Sequence, residues 1–450
     1  MSQSSERTTI YAVSTAPGRA GVAVIRISGP RASQVLNLMA RPRPKPRIAS
    51  ARTFIHPIDS RPLDRGLVLW FPGPKSFTGE DVVELMLHGG RAVVAALLEA
   101  LAAIHGFRLA EPGEFARRAF DNGKIDLAEA EGLADLIDAE TEAQRRQALR
   151  QATGELSALI EGWRATLIDA LALTEAAIDF SDEADVSDQS IAQARASVEN
   201  LEAAIRHHLD DSNRGEILRD GFRVTLAGPP NVGKSSLLNA LARRPAAIVS
   251  EEAGTTRDVI EVRLDLGGYP VLLSDTAGIR QTELRVEQEG IRRTLEAARA
   301  ADLILWLVDP GAPEIQLPPD LVPVSDRVLL VRNKADLIKT GAPPALPDDS
   351  VLVSAKTGQG LDDLTARLAA IAQDRLDDRG QPAAVTNARQ RALVADTHHH
   401  LCVFLEGNPH EPELRAEDLR RAAHALGRLT GRIDVEDILG QIFSRFCIGK

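Results

Sequence analysis

The sequence predicts a multidomain protein of α/β plus α class: an N-terminal α+β domain, a long helical domain, and a strand–helix alternating domain inserted into the helical one. Three textures along the chain predict this. Residues up to about 122 mix short β-rich runs with Gly/Pro turns. Residues 125–209 contain no proline, and their apolar residues recur at three- and four-residue spacing, as at Leu127, Leu133, Leu136 and Ile137. Between residues 222 and 375 strand and helix patterns alternate, and helical texture returns from Asn387 to Phe446.

A chain of 450 residues accommodates about three domains at roughly 150 residues each. The assigned boundaries are 1–122 for the N-terminal domain, 123–219 and 377–450 for the two parts of the helical domain, and 220–376 for the insert. Insertion of this kind is tolerated where the two ends of the insert lie close together at a surface. The net charge of −11 excludes a global basic field, so a nucleic-acid partner needs a local patch or a second protein. Cys402 and Cys447 are too few for a disulfide framework, which suits a reducing cytosol. Met1 to Thr9 is polar and lacks the apolar core of a signal peptide. The expectation is a cytoplasmic protein with no membrane segment.

In the N-terminal domain, Val22 to Ile27 reads as a strand ended by Ser28-Gly29-Pro30, and Gly66 to Phe71 as another ended by Pro72-Gly73. The basic, proline-rich run Arg41 to Arg47 reads as a solvated loop. Ala92 to Ile104 is interrupted by Glu99 and is too short to span a bilayer, so it reads as a buried amphipathic helix.

The insert carries the chemistry. The strand Phe222 to Ala227 runs into Gly228-Pro229-Pro230-Asn231-Val232-Gly233-Lys234-Ser235-Ser236 and then into a helical run. This is a phosphate-cradling loop in its required strand–loop–helix context. Glycine-rich backbone lets N–H groups converge on phosphates at a helix N-terminus. Lys234 supplies a point charge and Ser235 a ligand to Mg²⁺. In Gly254-Thr255-Thr256-Arg257-Asp258, Thr256 offers a second Mg²⁺ ligand. Leu272 to Ser274 is a strand ending in Asp275-Thr276-Ala277-Gly278, with the acid in reach of the Mg²⁺ shell and the Gly278 N–H available to a γ-phosphate. Asn333-Lys334-Ala335-Asp336 follows a strand, and the Asp336 carboxylate can accept guanine N1–H and the exocyclic amine, a pattern adenine lacks. Ser354-Ala355-Lys356 closes the base site. Four ordered motifs specify a GTP-binding, GTP-hydrolysing domain of Ras-like type.

Ras-like domains orient the attacking water with a Gln in the second switch loop. Ile279 and Arg280 stand there instead, so another group holds the water; Glu283, Glu287 and Glu289 are the candidates. Arg257 and Arg280 are candidate charge-stabilising groups. The Asn231 amide oxygen can help seat a monovalent cation beside the phosphates. At the C-terminal end, Cys447 lies in Phe446-Cys447-Ile448-Gly449-Lys450, either as a reactive thiol near a lysine or packed as a small hydrophobe. His398, His399 and His400 point in three directions on a helix, so they read as an exposed face rather than a metal site with Cys402.

These motifs together resemble the MnmE (TrmE) family of tRNA-modifying GTPases over the whole chain. The N-terminal segments Pro17-Gly18-Arg19, Ile25 to Gly29, Phe77-Thr78-Gly79-Glu80-Asp81 and Pro112-Gly113-Glu114-Phe115 match that family too, and they discriminate better than the GTPase motifs. The resemblance implies an N-terminal domain that binds a tetrahydrofolate derivative, in the 5,10-methylene or 5-formyl form, through Arg26, Glu84, Lys124 and Lys450, and that forms a homodimer. It implies K⁺ between the phosphates and the first switch, with Asn231 as side-chain ligand and backbone oxygens from Ser250, Glu251, Glu252, Ala253, Gly254 and Thr255. It singles out Glu287 as the water-positioning acid and Cys447 as a residue needed for modification. It also implies work with the flavoprotein MnmG, in a heterotetramer or larger, on carbon-5 of the wobble uridine of tRNA. This sequence departs from the family's pattern at Pro229-Pro230-Asn231 and at Glu251-Glu252, and neither departure removes one of these groups. The alternative of another class is a ribosome-assembly GTPase acting as an RNA-binding switch. The acidic chain and the absence of a Gly-x-x-Gly loop in its C-terminal helices argue against it.

Overall fold

A computed structural model describes residues 8–179, 184–248, 261–275, 301–310, 317, 319–338, 350–377, 385–408, 411–433, 436–444 and 446–449. Its elements in chain order begin with β1 (Thr9–Val13), β2 (Ala20–Ser28), α1 (Gln34–Leu38), β3 (Ser50–Ile55), β4 (Pro62–Phe71), β5 (Val82–Gly89), α2 (Arg91–Ala102), β6 (Phe107–Leu109) and α3 (Glu114–Asp121). Helices α4 (Leu127–Asp138), α5 (Glu142–Ala152), α6 (Glu155–Asp179) and α7 (Ala184–Asp220) follow. Then come β7 (Phe222–Ala227), α8 (Lys234–Ala242), β8 (Glu261–Leu266), β9 (Tyr269–Asp275), β10 (Leu303–Val308), β11 (Val328–Arg332), β12 (Ser350–Leu352) and α9 (Leu361–Leu376). The last are α10 (Ala388–Glu406), α11 (Pro412–Leu429) and α12 (Glu436–Phe443). The mixed α/β and helical class read from the sequence is the class observed. Among the described residues no helix is long and apolar enough to cross a membrane.

The chain forms two compact units, one of residues 1–134, 152–160 and 424–450, the other of residues 135–151 and 161–423. In the first, six strands are ordered β3-β4-β5-β2-β1-β6, antiparallel except for the parallel β1–β6 pair. Alternation decides which face is buried. Ala23, Ile25 and Ile27 of β2 point into a core with Leu85, Leu87 and Phe54, and α2 adds Leu97, Ala100 and Leu101. The run read as a buried amphipathic helix is thus α2. Arg26 lies between Ile25 and Ile27 and so projects from the opposite face, where it meets Glu84 of β5 across the ladder. A smaller cluster packs α3 and α12 through Ala116, Leu127, Leu439, Phe443 and Phe446.

The basic connector is an exposed loop, as read, apart from buried Pro44, and two of its arginines also lie over aromatic rings. The Arg43 guanidinium sits 4.0 Å over the Trp70 ring and that of Arg47 5.6 Å over Phe71. The partly buried rings of β4 attract these cations, which draws two side chains of an otherwise exposed run toward the sheet.

In the second unit, six strands are ordered β12-β11-β10-β7-β9-β8, all parallel except the β8–β9 hairpin. All six residues of β10 are buried, as expected of a parallel strand covered on both faces. Helices α8 and α9 contribute Leu237, Leu238, Leu241, Leu361, Leu364 and Leu368 to this core. The long α7 packs along α10. Ala194, Val198, Leu201 and Ile205 on α7 and Val394, Thr397, Leu401 and Phe404 on α10 are buried at three- and four-residue steps. Arg195 reaches the Leu405 carbonyl, Glu202 meets His398, and Asn213 meets Arg391, so the two helices run antiparallel.

Gly360 stands just before α9 with φ of 71°, and a Cβ there would lie 2.0 Å from the Leu352 carbonyl oxygen. Gly360→Ala therefore combines left-handed strain with a backbone clash. We expect it to lower unfolding free energy by about 2–4 kcal/mol, read from urea titration of the full chain; a change below the error of that titration would contradict the close approach.

Candidate functional site

The nucleotide motifs converge at the C-terminal ends of β7, β9, β10 and β11, where ligands bind open parallel sheets. The loop after β7 carries Asn231 in the left-handed region, with φ of 62°, and Gly233 with φ of 95° at the start of α8. The side chains of Asn231, Ser235 and Ser236 are exposed at the loop, while Val232 is buried beneath it. The Lys234 ammonium donates to the carbonyls of Gly228 at 2.9 Å and Pro229 at 3.0 Å, which hold it over the loop. Burial lowers its pKa, opposed by the Asp275 charge. An anion in the loop would favour the charged form further.

Ser235 Oγ donates to Asp275 Oδ2 at 2.5 Å, and Asp275 is buried at the end of β9. A hydroxyl and a carboxylate share this spot, an all-oxygen donor pair of the kind Mg²⁺ takes beside substrate phosphates. The donor chemistry therefore fits that ion.

Asn333 ties the base-reading loop to the phosphate loop. Its side chain is 2% exposed. Nδ2 donates to the Val232 carbonyl at 2.9 Å, and Oδ1 accepts from the N–H of Lys334 at 2.8 Å and of Ala355 at 3.1 Å. A Cβ at position 233 would lie 2.4 Å from this Nδ2, so only glycine lets the loops approach so closely. Ser354 Oγ donates to Asp336 Oδ1 at 2.6 Å. That hydrogen bond is the main cause that lowers the Asp336 pKa, with Lys356 and Lys334 adding to it. The result is an exposed carboxylate, held ionised and oriented, as acceptance from guanine requires. Lys334 pairs with Asp309 at 3.2 Å. The sequence reading missed Asp309; an acid one residue past a fully buried strand was the available signal.

In the first unit, Arg26 Nε donates to Glu84 Oε1 at 2.9 Å, and the guanidinium lies 5.7 Å from the Phe77 ring and 5.9 Å from Phe115. Phe77 belongs to the loop before β5, whose Gly79 lies against Lys124 and Asn122. The structure thus places Arg26, Glu84 and Lys124 around one loop. Sequence reasoning missed the network that fixes it. Arg118 spans Glu80 and Glu114, Glu80 accepts from Ser28 at 2.7 Å, and the Asn122 amide donates to the Thr78 carbonyl at 2.6 Å. Burial alone would raise the Glu114 pKa, but Arg108, the Glu111 N–H and Arg118 together lower it. Phe115 is fully buried, so Phe77, which is partly exposed, is the ring beside the ion pair that a planar heterocycle with polar edges could meet. The chain's end is also fixed here: Ile448 bridges Pro112, and Ser14 Oγ donates to the Gly449 carbonyl at 2.9 Å. Cys447 is exposed beside buried Phe446.

The triple histidine departs from its reading as an exposed face. His398 Nε2 lies 2.7 Å from Glu202 Oε1, and both side chains are half-buried or more. The cause is α7, which packs on this side of α10. Ser250, Glu251, Glu252, Ala253, Gly254, Thr255, Thr256, Arg257, Thr276, Ala277, Gly278, Arg280, Glu283, Glu287, Glu289 and Lys450 lie outside the described residues.

Comparison with known proteins gives two family matches: the MnmE helical domain over residues 127–447 and the GTP-binding protein TrmE N-terminus over residues 9–124. A protein of Parvibaculum lavamentivorans described as tRNA modification GTPase MnmE is 56% identical over 446 residues, 98% of this chain and 100% of that one. One of Methylobacterium radiotolerans with the same description is 52% identical over 448 residues, 99% and 100% of the two chains. A crystal structure of Aquifex aeolicus Era bound to GDP and aluminium fluoride matches at 25% identity over 40% of this chain and 67% of that one, with a TM-score of 0.27.

Removing the Ser354 hydroxyl takes away the bond that lowers the Asp336 pKa. In Ser354→Ala that carboxylate should protonate at higher pH as the solution is acidified. Guanine-nucleotide affinity, titrated against pH, should therefore begin its acid-side loss at a higher pH than in wild type; coincident profiles would contradict the assignment.

Proposed function

The chain belongs to the MnmE family of tRNA modification GTPases, and from that membership we propose a potassium-stimulated GTPase that, with the flavoprotein MnmG, modifies carbon-5 of the wobble uridine of tRNA. Membership in a GTPase family of tRNA modification sets aside the ribosome-assembly alternative. One observation supports the finer reading: a phosphate loop tied to a guanine-reading loop by Asn333 shares its chain with the Arg26–Glu84 ion pair flanked by the partly exposed Phe77. A nucleotide engine and a second site that pairs charge with an aromatic ring suit one modification enzyme.

In this reading residues 220–376 are the G domain, residues 123–219 and 377–450 the helical domain, and residues 1–122 the folate-binding and dimerising domain. Asp336, oriented by Ser354, selects guanine, and Ala355 closes over the base. Lys234 exchanges its loop carbonyls for phosphate oxygens, and the loop N–H groups fix the transferring phosphoryl group. Ser235 and Asp275 hold Mg²⁺ with Thr256; that ion, when bound, neutralises charge on the phosphates. Asn231, at the exposed apex of its loop, contributes to K⁺ with oxygens from residues 250–255, in place of a second protein's arginine. Glu287 positions the attacking water. In the other unit, Arg26, Glu84, Lys124 and Lys450 bind the tetrahydrofolate derivative, which supplies a one-carbon unit when bound, and Cys447 serves the modification. The protein works in the cytoplasm as a homodimer.

GTP turnover by the purified protein should be at least about tenfold faster in potassium than in sodium at equal ionic strength, on the scale of one missing charge-stabilising contact; equal rates would sink the cation role. Glu287→Ala should keep GTP affinity near wild type and slow hydrolysis by about 10²-fold, while unchanged turnover would move the role to Glu283 or Glu289. Mass analysis of tRNA from cells lacking the protein should show unmodified carbon-5 at the wobble uridine. Normal modification there would overturn the functional reading.

A further inference from the structure

Away from the nucleotide and N-terminal sites, three donor side chains of different chemistry converge between two long helices. His398 and Cys402 are four residues apart on α10 and therefore share one of its faces. The antiparallel α7 brings Glu202 to that face. One donor atom from each of the three lies within 4.8 Å of the others. His398 Nε2 is 2.7 Å from Glu202 Oε1, and Cys402 Sγ is 3.8 Å from Nδ1 and 3.9 Å from Nε2 of the same ring.

Tetrahedral zinc, with bonds of about 2.0–2.3 Å, asks for donors roughly 3.3–3.7 Å apart. Seating an ion here opens the nitrogen–oxygen contact by under an ångström, draws the sulfur toward the nitrogen by a few tenths and toward the carboxylate oxygen by up to about an ångström. Both are adjustments of side-chain torsions at partly buried positions. The Glu202 and His398 side chains are 13% and 25% exposed, so water and ions reach the group from one side while the helix pair shields the other. Arg206 stands 3.5 Å from Glu202 on that open side, but its side chain is 61% exposed and free to swing into solvent. Glu406 lies one turn beyond Cys402 on the same face and adds negative charge next to the thiol. A carboxylate, an imidazole and a thiolate together favour a borderline-soft ion over Mg²⁺.

We propose that Glu202, His398 and Cys402 form a three-ligand site for a divalent ion of the zinc class, with water in the fourth position. The ion bonds to the Cys402 sulfur as the thiol proton leaves to solvent, displaces the Glu202–His398 hydrogen bond, and clamps α7 to α10. It is separate in place and chemistry from the Mg²⁺ pair Ser235 and Asp275.

The test uses the full chain, stripped with chelator and returned to buffer containing Mg²⁺ and GTP. Titration with Co²⁺ should saturate at one equivalent and raise a near-ultraviolet thiolate charge-transfer band, which Zn²⁺ then abolishes. Cys447→Ser should keep the band, while Cys402→Ser and His398→Ala should lose it; Glu202→Gln should weaken binding about tenfold or more. GTP turnover at the wild-type rate in these three variants establishes that they fold. Zn²⁺ should raise the thermal midpoint of wild type and leave that of Cys402→Ser unchanged. Absence of the band, its persistence in Cys402→Ser, or an equal thermal shift in both proteins would each show that the cluster is only a hydrogen-bonded helix contact.

Discussion

The nucleotide site depends on one buried amide. Asn333 donates to the backbone of the phosphate loop and accepts from the backbone of its own loop at Lys334 and of a further loop at Ala355, so three segments apart in sequence share one side chain. Inside a protein such bonds are strong, and an unpaired partner there is costly. The geometry of phosphate cradle and base reader is therefore fixed jointly. Glycine at position 233 follows from the same contact, since any side chain would occupy the amide's place. Asp336 can then specialise in charge and direction, because it carries no part of the scaffold and sits exposed under the control of Ser354.

The first unit solves a similar problem with charge. Arg118, buried among Glu80, Glu114 and the Thr8 carbonyl, anchors the loop that holds Phe77 beside Arg26. An isolated buried guanidinium would be prohibitively desolvated, and here two carboxylates and a carbonyl satisfy it. Arg26 itself is only half-buried, on the sheet face opposite the hydrophobic core. Its partner Glu84 stands directly across the ladder, so strand register sets this pair.

What was legible in the sequence follows the distance over which its cause acts. The phosphate loop and the base reader were legible because each is a contiguous run whose chemistry dictates its residues. Strands β2 and β4 were visible in part from β-branched runs and terminating Gly/Pro, although each begins two or more residues earlier than that pattern suggests. The Arg43 and Arg47 stacking was hidden, since the aromatic partners belong to a strand more than twenty residues on. Glu202 and His398 were hidden more deeply, being 196 residues apart. No local pattern reports such a meeting; only the packing of α7 on α10 produces it. The role of Asp309 likewise rests on where β10 ends beside Lys334, which the strand's own sequence does not state.

The antiparallel pairing of α7 and α10 has a kinetic consequence. These helices form a hairpin whose connection carries the whole second sheet. Closing a loop of that length is entropically unfavourable while the intervening chain is unfolded, and contacts of such high sequence separation slow folding. Collapse of the intervening sheet shortens the effective loop to the gap between its two ends. During synthesis α7 therefore leaves the ribosome without its α10 partner and stays so until the second sheet has folded and α10 has emerged. In this protein the sheet that carries the nucleotide motifs is also what brings the two helices together.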